Sequence, residues 1–172
     1  LFPALRSAYM VLPEPLVEVF RSARWVTDAA PPVLEQEALT EFLGSGSFER
    51  HLRRARTLYG QRRRTLLAAL RDQLGETVSF QDSRAGLHVL VRIEALPAHR
   101  LPRLLQAARE REVRVYRADP CYLAPPERAE LLLGFTRLSE AEIEQGVARL
   151  AGALAALGLP GRAPAARRAA SA

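Results

Sequence analysis

The stretch GETVSFQDSRAGLHVLVRI, residues 75–93, decides the fold. Upstream of it, apolar residues recur at helical spacing; from Gly75 onward they alternate. In 77–81, Val78 and Phe80 point towards a core. In 87–93, Leu87, Val89, Val91 and Ile93 share one face, while His88, Leu90 and Arg92 share the other. Residues 81–86 between them read as a turn. A helix over 99–111 follows, with Leu101, Leu104, Leu105 and Ala108 inward. Next come a short strand at 113–116, an irregular connection at 121–127 containing Pro125 and Pro126, and a strand at 130–135. Ser139 and Glu142 form a capping box that opens a last helix, with Ile143, Val147, Leu150, Leu154 and Leu157 on one side. This order predicts a compact α+β unit with helices on one sheet face.

Working back from Gly75, residues 48–74 read as one helix carrying Phe48, Leu52, Ala55, Tyr59, Leu66, Leu70 and Leu74. At 1.5 Å per residue it would run about 40 Å, which suits a helix linking two domains. Gly60 is a possible bend or close-contact point, and Tyr59 falls on the packing side. Gly44-Ser45-Gly46-Ser47 reads as a loop or change of axis. Before it, a helix starts at Pro31 or Pro32 and runs to about Leu43. Residues 14–24 read weakly as a helix with Leu16, Val17 and Phe20 on one side, and AYMVL at 8–12 as a short buried strand ended by Pro13 and Pro15. Residues 158–172 are rich in Ala, Arg, Pro, Gly and Ser and read as a flexible tail.

Composition narrows the function classes. The chain has 172 residues, 48% of them hydrophobic, enough for a real core. All 25 basic residues are arginine, and the net charge is +6. Arginine stays protonated and does not act as an amine nucleophile, so lysine chemistry is closed to this chain. One cysteine, Cys121, excludes an intrachain disulfide, and a reducing cytoplasm is the expected compartment. No apolar run is long enough to span a bilayer, so no membrane role is expected. The first residues resemble no signal peptide and include no initiator Met, which reads as a start inside a longer protein.

Few residues stand out chemically. Arg6, just before the 8–12 strand, can grip a phosphate or carboxylate bidentately, or cap a loop. His88 either donates at a cleft or sits satisfied under a helix. His51 and His99 have no ligand-spaced neighbours, so no metal site is expected. The clusters Arg53-Arg54-Arg56 and Arg62-Arg63-Arg64 wrap the long helix and read as a solvated face rather than a nucleic-acid site. Cys121 reads as a small buried thiol.

Four segments in order resemble the C-terminal part of fold-type I enzymes dependent on pyridoxal phosphate (PLP), in particular the aminotransferase-like domain of MocR-type GntR-family regulators. They are LFPALRSAYMVLP (1–13), FLGSGSFERHLRRARTLYGQRR (42–63), AGLHVLV (85–91) and LLLGFTRLSEAEIEQGVARLA (131–151). The first is similar to the stretch that follows the PLP-bearing lysine, with Ala8 where glycine is usual before Tyr9. The resemblance implies an α/β fold: the C-terminal part of an aminotransferase-like, PLP-dependent transferase fold with a long linking helix and a small α+β domain. It implies a large-domain remnant at 1–45, the linking helix at 46–74, the small domain at 75–157 and the tail at 158–172.

The resemblance also implies Arg6 as the contact to the PLP phosphate, and Gly86, His88 and Arg137 as parts of an effector or substrate pocket. Many relatives carry a carboxylate-gripping arginine two places before the glycine of the Leu-Gly-Phe strand; this chain has Leu132 there. Either another group, with Arg137 a weak candidate, takes that task, or the ligand lacks a carboxylate at that point; the departure favours sensing over robust transamination. PLP is expected in the intact parent and not covalently on this chain. The expected partners are an amino acid or amine ligand, a second subunit of a homodimer, and DNA only through an N-terminal domain that this chain lacks. The alternatives are a fragment of an aminotransferase enzyme and a non-catalytic structural remnant.

Overall fold

The structure is a computed structural model that describes residues 8–28, 32–80 and 86–159. The chain divides into two compact units, Leu1–Arg54 and Ala55–Ala172. The expectations for Arg6, for the turn at 81–85 and for the tail beyond Leu159 lie outside the described residues.

The first unit holds helices α1 (Glu14–Asp28) and α2 (Val33–Gly44) and the start of α3 (Ser47–Leu74). Neither α1 nor α2 buries a single residue. The strand expected at 8–12 does not form, and Tyr9 is 92% exposed. A strand needs a neighbour to take up its backbone donors and acceptors, and the first unit has none among the described residues. The Gly-Ser loop shrinks to a turn at Ser45 and Gly46, across which Phe42 and Phe48 meet edge to face at 5.9 Å.

The second unit is a four-stranded antiparallel sheet backed by helices. Its elements are β1 (Val78–Phe80), β2 (His88–Pro97), α4 (Leu101–Glu110), β3 (Tyr116–Arg117), β4 (Arg128–Gly134) and α5 (Glu140–Ala156). The spatial order is β1-β2-β4-β3. Val89, Val91 and Ile93 of β2 and Ala129, Leu131 and Leu133 of β4 form the buried face. Leu66, Leu70 and Leu74 of α3, Leu101 and Leu104 of α4, and Ile143, Val147, Leu150 and Leu154 of α5 cover it. Tyr59 packs at the margin of this core. The capping box at Ser139 forms as its sequence requires, with Glu142 N–H donating to the Ser139 hydroxyl at 3.3 Å.

Three local expectations are corrected. The strand at 113–116 reduces to Tyr116–Arg117, because the Val113 N–H is spent on closing α4 through the Ala108 carbonyl at 3.0 Å. Leu87 does not join the core face; it is 47% exposed, since the last paired rung of β2 is His88 with Gly134. Cys121 is exposed, not buried, because it ends a short 3-10 turn in the connection to β4, outside the core.

Helices α4 and α5 end by the same hydrogen-bond pattern with different residues. After α5, Gly158 takes φ 79° and Leu159 N–H reaches Leu154 O at 3.0 Å. After α4, the left-handed position is Glu112 at φ 57°, a conformation in which a β-carbon is strained. Its ion pair to Arg149, at 3.3 Å, is largely exposed and contributes little. Glu112→Gly should therefore stabilise the chain by about 0.5–1 kcal/mol, and Gly158→Ala should destabilise it by a similar amount. Chemical denaturation of the two variants checks both signs.

Candidate functional site

Beyond β4 the chain turns through Phe135, which is 1% exposed and anchors the turn, and then Thr136, Arg137 and Leu138 before the cap of α5. This turn, the 113–116 segment and the last rungs of β4 surround a cavity of about 480 Å³. Leu66 of α3 and Ile143, Gly146, Val147 and Leu150 of α5 supply its apolar wall. His88, Arg114, Tyr116, Thr136 and Arg137 supply polar groups. Among the described residues no aspartate or glutamate lines it. The volume is that of an ordinary small-molecule pocket.

His88 reaches this cavity because β2 and β4 pair in one register. It faces Gly134 across the sheet, and a β-carbon at Gly134 would stand 3.4 Å from His88 Cδ2 and 3.5 Å from Nε2. The glycine gives the imidazole its place. Leu132, two residues earlier on the same face, is opposite Tyr116 of β3 and also lines the cavity. Of the residues singled out from sequence, His88 and Arg137 meet here. Gly86 is not part of the lining; it sits ahead of β2 at φ 89°, a backbone that glycine adopts without strain. Arg6 lies outside the described residues.

Among the described residues the lining offers cationic and neutral donors over an apolar wall and no acidic side chain. Such a set can bind an anionic group attached to an apolar body. Among the described residues it contains no thiol, and no carboxylate that could act as a general base. Among the described residues no group of His, Cys, Asp or Glu is arranged to hold a metal ion. Among the same residues no helix is long and apolar enough to cross a membrane. No lysine exists to hold PLP covalently.

One charged cluster was not foreseen. Glu130 is 2% exposed, the sole buried polar side chain among the described residues. It lies on the same face of β4 as Leu132 and Gly134. Arg92 Nε, on the paired residue of β2, donates to Glu130 Oε1 at 2.8 Å, and the Tyr122 hydroxyl donates to Oε2. Both carboxylate oxygens are thus satisfied. The bond and charge of Glu130 raise the Arg92 guanidinium further above its ordinary value. The hydrogen bond to Glu130 pushes the Tyr122 phenol up, and burial adds to it. The only sequence sign was an acid inside ELLLGF; that Arg92 and Tyr122 meet it depends on register and on the path of the 118–127 connection.

A sheet of this topology with helices on one face and a long α3 leading in belongs to the aminotransferase fold. LysN, an α-aminoadipate aminotransferase from Thermus thermophilus, superposes with a TM-score of 0.68 and 26% identity, covering 81% of this chain and 36% of its own. A kynurenine aminotransferase from Pyrococcus horikoshii superposes with a TM-score of 0.74 at 22% identity, covering 84% of this chain and 35% of its own, a likeness of fold. No family model matches the chain. Among sequence relatives, the HTH-type transcriptional regulator YhdI of Bacillus subtilis is 32% identical over 157 residues, 91% of this chain. MocR of Rhizobium meliloti, a probable rhizopine catabolism regulatory protein, is 28% identical over 164 residues, 95% of this chain. The chain has the aminotransferase-like fold and is similar in sequence to HTH-type transcriptional regulators that include MocR. It spans 33% of the length of each of these two relatives.

Because the folded state holds the Tyr122 phenol protonated, its contribution is present below the unfolded value of about pH 10 and is lost as pH rises through the raised folded value. Thermal stability of the chain should fall as pH rises above about 10, and Tyr122→Phe should flatten that fall. Melting curves across this range check it; equal slopes for both proteins would remove Tyr122 from the alkaline transition.

Proposed function

We propose that this chain is the effector-sensing part of a PLP-binding transcriptional regulator and does not perform catalysis by itself. The observation that carries the reading is the cavity at the end of β4, lined by Leu132, His88 and Arg137; by the resemblance, Leu132 stands where many aminotransferases have a carboxylate-gripping arginine. A leucine offers no charge-assisted bond, so a transaminase would lack its usual substrate clamp at that position. The relatives named above are regulators, and their whole length is three times that of this chain, so the DNA-binding role falls to other parts of the parent.

In this reading the ligand is an amino acid rather than a plain amine, since the lining formed by the described residues carries arginine and histidine donors. PLP, when bound in the parent, supplies an electron sink next to an amine-bearing carbon. The contribution of this chain is limited to grip and orientation: Arg6 holds the phosphate, His88 and Arg137 orient the ligand, and Gly86 lets β2 begin beside them. The parent acts as a homodimer in a reducing compartment. A fragment of an aminotransferase enzyme is the second reading, and the likeness to LysN favours it. The two readings part over Leu132: in the enzyme reading, Leu132→Arg should raise amino-group transfer by the parent, whereas a sensor gains none.

Treating the 172-residue chain with PLP and a hydride reductant should give no covalent label on any side chain; a label at an internal residue overturns the reading. In the parent protein, Arg6→Ala should weaken PLP binding by about tenfold or more, the scale of one lost charge-assisted phosphate contact. Unchanged affinity would remove Arg6 from the site.

A further inference from the structure

Arg62 is not part of the cavity lining, yet it holds the turn that is. Its guanidinium Nη1 donates to the carbonyl of Thr136, the residue between buried Phe135 and Arg137. Three residues along α3, the Thr65 hydroxyl donates to Glu140 Oε2 at 3.0 Å. The adjacent Leu66 is buried and lines the cavity. Positions 62, 65 and 66 share one side of a helix, so α3 provides both wall and brace.

The far end of the turn is fixed as well. Glu142 Oε2 accepts from the Ser139 backbone N–H at 2.7 Å and from the Ser139 hydroxyl at 2.8 Å. These Ser139 bonds hold the Glu142 carboxyl below its ordinary range, and the Arg62 charge adds to the effect. The turn is therefore tied at three points: Phe135 in the core, Thr136 to Arg62, and Ser139 in its cap. Arg137 and Leu138 are the residues left between the ties, and both face the cavity while exposed to solvent. Without the Arg62 bond, the turn would hang on its two ends, and ordering Arg137 around a ligand would cost conformational entropy at the moment of binding.

We infer that Arg62 is the positioning residue of the cavity rim: by holding the Thr136 carbonyl it fixes the turn that presents Arg137 and Leu138. The consequence for ligand binding rests on the effector reading given above; the bracing itself does not.

The test uses the full chain and backbone 15N relaxation. Arg62→Met keeps the apolar stem and removes the donors, whereas Arg62→Lys keeps a donor that can reach a carbonyl. In the unaltered chain, order parameters at residues 136–138 should stand near the rigid value of about 0.85. Arg62→Met should drop them below about 0.6 while β2, β4 and the melting temperature stay unchanged, and Arg62→Lys should restore most of the order. Unchanged order parameters in Arg62→Met overturn the inference. So does a loss spread evenly over the sheet with a lowered melting temperature, which is what a merely stabilising contact would give. If the turn loosens as expected but Arg137→Ala leaves the parent's response to amino acids intact, the bracing stands and the effector reading fails.

Discussion

The pairing of β2 with β4 is the constraint on which the second unit depends. These are the longest strands, the central pair of the sheet, and their register runs from His88 with Gly134 to Ile93 with Ala129. Side chains alternate with period two, so a slip of one residue would exchange the faces. Leu131 and Leu133 would leave the helices they pack on, and Glu130 would enter an apolar layer with no partner. Burial of such a carboxylate without its hydrogen bonds costs far more than any single contact in the unit returns. The apolar face and the Arg92–Glu130 rung thus enforce the same register from opposite sides of the sheet.

That register also sets the chemistry of the open face. Along β4, Glu130, Leu132 and Gly134 follow one another at alternate positions, with three different consequences. Glu130 is neutralised by Arg92 and capped by Tyr122, so its charge is consumed within the structure. Leu132 gives the cavity an apolar patch. Gly134 opens space for His88. Glu130 lies towards one end of the face, and the cavity at the other end is lined, among the described residues, by histidine, arginine and hydroxyl side chains and apolar groups.

The two units differ in how far they are self-sufficient. The second has a continuous core from α3, α4, α5 and the sheet. The first exposes Trp25, Val26, Val33 and Leu34 and buries nothing in α1 or α2. Helices of ordinary length gain most of their stability from burying an apolar side, so these two gain little from within the chain. The contrast agrees with a chain that spans a third of its relatives' length.

Much of the second unit was legible in the sequence because its periods are strong. The three-to-four spacing along α3, the alternation from Val89 to Ile93, and the Ser139–Glu142 box each follow from local geometry, and local geometry does not need the rest of the fold. Three of the four segments that carried the family resemblance overlap these features. What the sequence could not decide were matters of pairing. Val113 and Val115 look like a strand, but the Val113 N–H closes a helix instead. AYMVL looks like a strand and has no neighbour to pair with. Glu130 looks like an interruption until register places Arg92 beside it. His88 was left between a cleft and a core, and only its rung opposite Gly134 puts it on the cavity. Arg62 looked like one more member of a solvated arginine cluster, and its bond to Thr136 joins residues 74 apart in sequence. Side-chain period is a property of a segment and survives in one dimension; a hydrogen bond between distant segments exists only after the chain has closed on itself.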